Sequence, residues 1–274
     1  MLDNRNRFFI ILLLLALTFS IFTIFIYSSN APSLSAKSAA LYEPSTKSFL
    51  FTKNENQRLP MASTTKIMTA LLAIEKLDPE EIVEIDERAI GVEGSSVYLK
   101  AGEAMRAIDL VYSLLLQSAN DAAAALAIRI SGSIEDFAIL MNEKAESLSL
   151  RDTSFKNPHG LDDSEHYTTA HDLAILTAAA LENETFKAIT STYKKTLVSS
   201  DMQRLVVNHN KLLNSYDGCI GVKTGYTKKS GRCLSSAAER DGRMLIAITI
   251  NAPDDWRDHK IMLDYGWSVL QKIQ

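Results

Sequence analysis

Ser63 and Lys66 stand three residues apart, a spacing that puts both side chains on one face of a helix. A serine hydroxyl is a weak nucleophile until a neighbouring base takes its proton. A lysine amine does this only when neutral, which requires burial or a second nearby cation to lower its pKa. Pro60 lies just ahead, and Ile67, Leu71, Leu72 and Ile74 recur at helical spacing, so Ser63 is placed at the start of a helix reaching Leu77. The free N–H groups of such a start suit a developing oxyanion. Together these features describe acyl transfer through a serine ester. Read alone, the same residues also describe a capping serine with a lysine in the next turn.

Two more polar tripeptides shift that balance. Ser118-Ala119-Asn120 breaks the chain between apolar Leu114-Leu115-Leu116 and the alanine-rich helix of Ala122 to Ala127. By itself it is a capping turn, with Asp121 as another cap. Lys223-Thr224-Gly225 closes a strand beginning at Cys219, and by itself is a strand end with its charge in solvent. Three such pieces in order, each in a matching structural setting, argue for one site. His159, His166 and His171 also cluster, but without His-Glu-x-x-His spacing or a paired acidic ligand, so they are read as a structural loop. No metal and no cofactor is expected.

The elements that must position these residues follow from periodicity. Ala39–Glu43 and Ser48–Thr52 read as a hairpin around Pro44-Ser45-Thr46-Lys47. Between about Asp78 and Phe186 the pattern is mostly helical, with helices at Ala107–Leu116, Asp121–Ile130, Ile134–Leu148 and Thr169–Leu181, interrupted by a loop from Asn157 to Thr168. The last third turns to strands, Arg204–His209, Cys219–Gly225, Arg232–Glu239 and Met244–Asn251, before a helix from about Asp254. Short connections between late strands require antiparallel pairing. The expected fold is therefore α+β: one antiparallel sheet built from both ends of the chain and flanked by helices, with an inserted helical subdomain over about 78–186 and a cleft between them.

Composition sets the outer limits. A chain of 274 residues suits one large core or two modest subdomains, and 46% hydrophobic with 23% charged residues is ordinary for a globular protein. The net charge of -4 gives no reason to expect nucleic acid as a partner. Phe8 to Tyr27 carries no charge and follows Arg5 and Arg7, a run long enough to span a bilayer with the N-terminus inside and the body of the protein outside. The small-residue stretch Ser33-Leu34-Ser35-Ala36 leaves both a retained anchor and a cleaved signal open. Residues 1–38 are thus expected to be anchor or signal plus linker, and 39–274 the catalytic domain. Cys219 and Cys233 flank a tight hairpin in which Cys233 is expected near Lys223, too far from Cys219 for a bridge, so two free buried thiols are expected.

Ser-x-x-Lys, Ser-x-Asn and Lys-Thr-Gly in this order resemble the signature of penicillin-binding proteins and serine β-lactamases. Longer stretches narrow the resemblance: Pro60-Met61-Ala62-Ser63-Thr64-Thr65-Lys66-Ile67-Met68-Thr69-Ala70, Ser118-Ala119-Asn120-Asp121-Ala122, Asn157-Pro158-His159-Gly160-Leu161 with Thr168-Thr169-Ala170, and Gly221-Val222-Lys223-Thr224-Gly225-Tyr226-Thr227. From about Ala39 onward the chain is similar to the low-molecular-weight D-alanyl-D-alanine carboxypeptidases.

The resemblance implies that Ser63 attacks the bond between the last two D-alanines of a peptidoglycan stem peptide, and that β-lactam antibiotics acylate the same serine. It implies Lys66 as the base that takes the Ser63 proton. Ser118 would relay a proton to the leaving amine, and Asn120 would hold the substrate amide and Lys66. Lys223 and Thr224 would attract the terminal carboxylate, Gly225 would let the substrate lie close, and the backbone N–H groups of Ser63 and Tyr226 would form the oxyanion hole. Two features depart from many relatives: Tyr226 stands where histidine is common, and the chain stops at Gln274 without a further β-domain or terminal amphipathic helix, so membrane attachment falls to residues 8–27. The alternatives are a β-lactamase, which lacks here the usual Glu-x-x-Leu-Asn loop, and a non-catalytic penicillin-binding sensor.

Overall fold

The structure, a computed structural model, describes residues 31–200 and 202–273. The apolar segment 8–27 lies outside the described residues, among which no helix is long and apolar enough to cross a membrane. In chain order the elements are β1 (Ser38–Glu43), β2 (Ser48–Lys53), a 3-10 turn (Ala62–Thr65), α1 (Lys66–Lys76), β3 (Ile82–Glu84), β4 (Ala104–Arg106) and α2 (Ala107–Leu116). There follow α3 (Asn120–Ser131), α4 (Ile134–Ser147), α5 (Ala170–Leu181), α6 (Glu184–Thr190), β5 (Lys194–Val198) and β6 (Gln203–Val207). The chain closes with β7 (Cys219–Thr227), β8 (Gly231–Arg240), β9 (Arg243–Ile250) and α7 (Asp255–Ile273).

The main sheet is antiparallel in the order β2-β1-β9-β8-β7, so strands from both ends of the chain meet at the β1–β9 pair. Alternation along these strands explains why both faces are covered. Ala40 and Tyr42 of β1, with Ile246, Ile248 and Ile250 of β9, face the large core shared with the helices. Ala39 and Leu41, with Leu245 and Ala247, face α7, where they meet Met262, Leu263 and Trp267. Each of those large side chains contributes roughly 1.5–3 kcal/mol through burial. The chain is tied to α7 before β1 begins: Asp258 accepts hydrogen bonds from Ser35 N, Ser35 Oγ and Ala36 N.

Between β2 and β7 the chain builds the helical part expected from the apolar periodicity. Its centre is α3, where Ala122 to Ala127 are all buried and their small side chains let α1, α2 and α4 crowd against it. Gly132, in the left-handed conformation, ends α3, and Ser133 caps α4 through the Asp136 N–H.

Several local expectations change. Ser63 sits in a 3-10 turn, and α1 begins only at Lys66, because the Thr64 and Thr65 hydroxyls donate to the Met61 and Ala62 carbonyls and favour the tighter winding. β6 does not join the main sheet; it pairs with β5, a strand that directly follows α6. The three-residue pair β3–β4 is too short to leave a period in the sequence. Cys233 stands opposite Gly225, two residues from Lys223 as expected, and β7 runs on to Thr227 before turning. Cys219 faces Ala238, both thiols are free, and Cys219 is half-buried while Cys233 is buried.

Candidate active site

β7 is the free edge of the main sheet, and the 3-10 turn carrying Ser63 lies against it. The contact is tight because Gly225 has no side chain: a Cβ there would lie 2.9 Å from Ser63 N and 3.1 Å from Ala62 Cβ. From behind, Gly160 (φ +90°) presses on the same turn, and a Cβ on it would collide with the Ala62 carbonyl. The roof comes from the α2–α3 junction, where Ser118 takes a positive φ of 62°. Ser63, Ser118, Thr224, Gly225 and Tyr226 line an open cleft of about 440 Å³ with Lys66, Asn120 and Lys223 packed beneath, so all eight residues expected from the sequence come together.

Lys66 is the centre of the arrangement. It is fully buried, and its Nζ lies 3.0 Å from Ser63 Oγ while donating to Asn120 Oδ1 at 2.6 Å and to the His159 carbonyl at 2.6 Å. Burial, reinforced by the Lys223 cation, holds the amine well below the usual lysine range. A neutral amine has two N–H bonds and one lone pair. With both N–H bonds engaged by Asn120 and His159, the lone pair is left for the Ser63 hydroxyl. Burial likewise lowers Lys223, to about 7, and its Nζ donates to the Thr224 carbonyl at 2.8 Å. Ser118 Oγ makes no hydrogen bond among the described residues and opens on the cleft.

The loop from Asn157 to Thr168 supports this centre without bringing an imidazole to it. His159 contributes its carbonyl, and its ring is held neutral by burial, its pKa lowered to about 3. His166 accepts the Lys156 N–H at Nδ1, so its Nε2–H donates to Thr65 Oγ1 at 2.7 Å and anchors the turn next to the serine. Thr227 Oγ1 donates to Asp162 Oδ1 at 2.9 Å, pinning this loop to β7.

Some lining residues escaped the reading of the sequence. Ser95 belongs to an irregular segment with no periodic signal. His209 and Lys211, which carry no motif spacing of their own, both face the cleft. Arg232, Asp255 and Trp256 join it where α7 starts beside β8. The Arg232 Nε donates to Asp255 Oδ1 at 3.1 Å, and its two terminal nitrogens make no hydrogen bond among the described residues. Only tertiary contact brings these groups together.

A serine bonded to a buried lysine whose pKa is lowered, in a cleft between an edge strand and a helical block, places the fold with the serine DD-peptidases. The crystal structure of the Streptomyces K15 DD-transpeptidase superposes with a TM-score of 0.83 at 29% identity, covering 87% of this chain and 99% of that one. A D-alanyl-D-alanine carboxypeptidase structure from Mycobacterium tuberculosis gives 0.82 at 32% identity, covering 87% and 93%. The chain belongs to the D-alanyl-D-alanine carboxypeptidase family, whose model matches residues 26–254. Among curated relatives, DacF of Bacillus subtilis is 41% identical over 243 residues, and DacB2 of Mycobacterium tuberculosis 34% over 226. These alignments cover 85% and 79% of this chain, and 62% and 77% of the relatives. The chain thus spans less than two thirds of DacF.

Proposed function

We propose that this chain is a serine-type D-Ala-D-Ala carboxypeptidase that trims peptidoglycan stem pentapeptides through an acyl-enzyme on Ser63. The observation that supports it best is the environment of Lys66, whose Nζ lies 3.0 Å from Ser63 Oγ with Asn120 Oδ1 and the His159 carbonyl each at 2.6 Å. In this reading Lys66 takes the Ser63 proton as Oγ attacks the penultimate D-alanine carbonyl. The oxyanion forms between the Ser63 and Tyr226 N–H groups. The C–N bond then breaks as the proton taken by Lys66 is relayed through Ser118 to the departing D-alanine nitrogen, and water hydrolyses the ester to restore Ser63.

Asn120 keeps Lys66 and the substrate amide aligned, while Lys223 and Thr224 attract the terminal carboxylate. Lys211 and the open nitrogens of Arg232 add positive charge to the same cleft, which suits an anionic peptide. Because β7 is an edge strand and Gly225 lacks a side chain, an extended peptide can lie along it as an added strand.

The single carboxylate among the cleft-lining residues, Asp255, is engaged by Arg232. No acid is thus offered to drive fast hydrolysis of a penicilloyl ester, and β-lactams are expected to act as slow-leaving covalent inhibitors. We further propose that residues 1–38 comprise the anchor or signal and linker, that 39–274 form the catalytic domain with its helical subdomain at about 78–186, and that the enzyme works at the outer face of the bacterial cell membrane, reached through residues 8–27.

The test is release of D-alanine from a stem pentapeptide by the full chain in detergent, with Ser63→Ala as control. Turnover lost in the variant supports the reading. Rapid hydrolysis of a chromogenic cephalosporin without peptide turnover would make it a β-lactamase, and a stable penicilloyl adduct with no peptide turnover would make it a sensor.

A further inference from the structure

Arg204, on β6, is turned inward although its strand belongs to a surface hairpin. Its side chain is 9% exposed and that of its partner, Glu103, is 0%. Nη2 donates to Glu103 Oε2 at 2.7 Å, and Nη1 bonds the other carboxylate oxygen. The guanidinium also reaches backbone: Nε donates to the Val97 carbonyl at 2.7 Å and Nη2 to the Tyr98 carbonyl at 3.2 Å, while Nη1 lies 3.3 Å from Ser199 Oγ. A buried ion pair adds little net stability and is often replaceable by apolar side chains of similar volume. What distinguishes this one is the segment it grips.

That segment, Glu93 to Leu99, has no regular secondary structure, yet its other side is bonded to the start of α3. The Asn120 N–H donates to the Ser95 carbonyl at 2.7 Å, and Asn120 Nδ2 donates to the Glu93 carbonyl. The Asp121 carboxylate accepts from Ser96 Oγ at 2.6 Å, Leu99 N at 3.0 Å and Val97 N at 3.3 Å. Gly94 packs so closely that a Cβ would lie 2.8 Å from Asn120 Nδ2. The Glu93 carbonyl can only accept, so it forces the Asn120 amide to point its NH2 group outward and its oxygen at Lys66.

We propose that Arg204, locked by Glu103, is a positioning residue for acylation: by clamping the 93–99 segment it keeps Asn120 Oδ1 on Lys66, and so keeps the amine aimed at Ser63. The proposal rests on Ser63 and Lys66 being the acylating pair, as set out above. Misplacing a reacting group by about 1 Å costs on the order of 10²-fold. The expected loss on releasing the clamp is roughly 10- to 100-fold in the rate of acylation.

The experiment uses the full chain in detergent, with a fluorescent penicillin to follow acylation of Ser63 against pH and D-alanine release to separate kcat from KM. In Glu103→Leu/Arg204→Met, apolar side chains fill the space and no donor is left for the Val97 and Tyr98 carbonyls. The double variant is expected to keep a cooperative unfolding transition while acylation slows and kcat falls more than KM rises, with the acid limb of the pH profile displaced. Arg204→Lys, which keeps the charge but not the fork of donors, should fall between. In an Asn120→Ala background the clamp variant should add little further loss, since both act through one group.

Wild-type acylation in a folded double variant would overturn the proposal, as would a loss fully additive with Asn120→Ala. If the double variant fails to fold, Arg204→Lys decides: an unchanged rate and pH profile there also overturn it. A wild-type chain that neither releases D-alanine nor is acylated at Ser63 would defeat the proposed function instead.

Discussion

Replacing Gly225 with alanine measures how closely β7 must approach the serine turn. The backbone of Gly225 is outside the left-handed region, so alanine brings no conformational strain and the cost is contact alone. The added methyl would lie 2.9 Å from Ser63 N, 3.1 Å from Ala62 Cβ and 3.2 Å from Thr64 N, where ordinary contact begins at 3.4 Å. None of these atoms is the end of a flexible side chain. The strand and the turn must therefore part by about 0.5 Å, the difference between 3.4 and 2.9 Å.

Overpacking of this kind costs roughly 1–3 kcal/mol. In a domain of this size that lowers Tm by about 2–12 °C. The effect on reaction is larger, because the gap opens between the two N–H groups proposed to hold the oxyanion. Losing one such donor costs about 2.7–4 kcal/mol, or 10²- to 10³-fold in rate. Acylation of Ser63 by a labelled penicillin, measured beside thermal unfolding, separates the two effects: the rate should fall about 10²- to 10³-fold in a protein that still unfolds cooperatively. A folded Gly225→Ala variant acylated at the wild-type rate would refute the idea that the reacting carbonyl sits between β7 and the turn.

Other predictions concern pH. In the proposed mechanism Lys66 must be neutral and Lys223 charged, so acylation should rise with pH as Lys66 loses its proton and fall as pH climbs past the lowered Lys223 pKa of about 7. In Lys223→Met the alkaline limb should vanish and the acid limb move to higher pH, because the cation that helps depress Lys66 is gone; an unmoved acid limb would show that burial alone neutralises Lys66. His259 is fully buried between α7 and the sheet, bonded to Ser236 Oγ at 2.6 Å and Thr249 Oγ1 at 2.9 Å, with its pKa lowered by burial to about 3. The unfolded chain binds a proton at His259 below about 6.5 that the folded chain refuses until near 3, so stability contributed there is present above 6.5 and lost as pH falls through that window. His259→Asn should flatten the decline of Tm between pH 6.5 and 4, and an unchanged slope would assign that decline to other groups such as His159 and His166.

Much of this architecture is legible in the sequence because the signals are local. Ala107–Leu116 reads as a helix over the bounds observed, and the short β-prone run Ala39–Glu43 is a strand whose apolar side chains are covered on both faces. Ser118-Ala119-Asn120 is found because it separates two helices, whereas Lys223-Thr224-Gly225 lies within β7, which continues to Thr227. What stays hidden is whatever depends on distant partners. The 93–99 segment has no period of its own and is shaped by Asp121 and Arg204. β5 needs β6 to be a strand, and Arg232 needs Asp255 from the start of α7 to face the cleft. The Ser63 turn misleads for a related reason: its apolar spacing is helical, but two threonine hydroxyls and the pressure of Gly160 wind it more tightly than an α-helix.

The two lysines make the strongest physical case that this arrangement exists for chemistry. Lys66 and Lys223 are 0% and 1% exposed, among the largest buried side chains of the molecule, and neither has a salt-bridge partner among the described residues. Burying an amine that wants to be charged is costly, and a methionine in either place would pack as well at lower cost. A fold selected for stability alone would not keep both. The cost makes sense when each is given a task that burial performs: on Lys66 it strips the proton so that the amine can accept one from Ser63, and on Lys223 it holds the charge close to balance, so that a substrate carboxylate arriving beside Thr224 tips it to the cation. The protonation state of Lys223 then becomes a consequence of substrate binding, while the base next to Ser63 is depressed chiefly by its own burial.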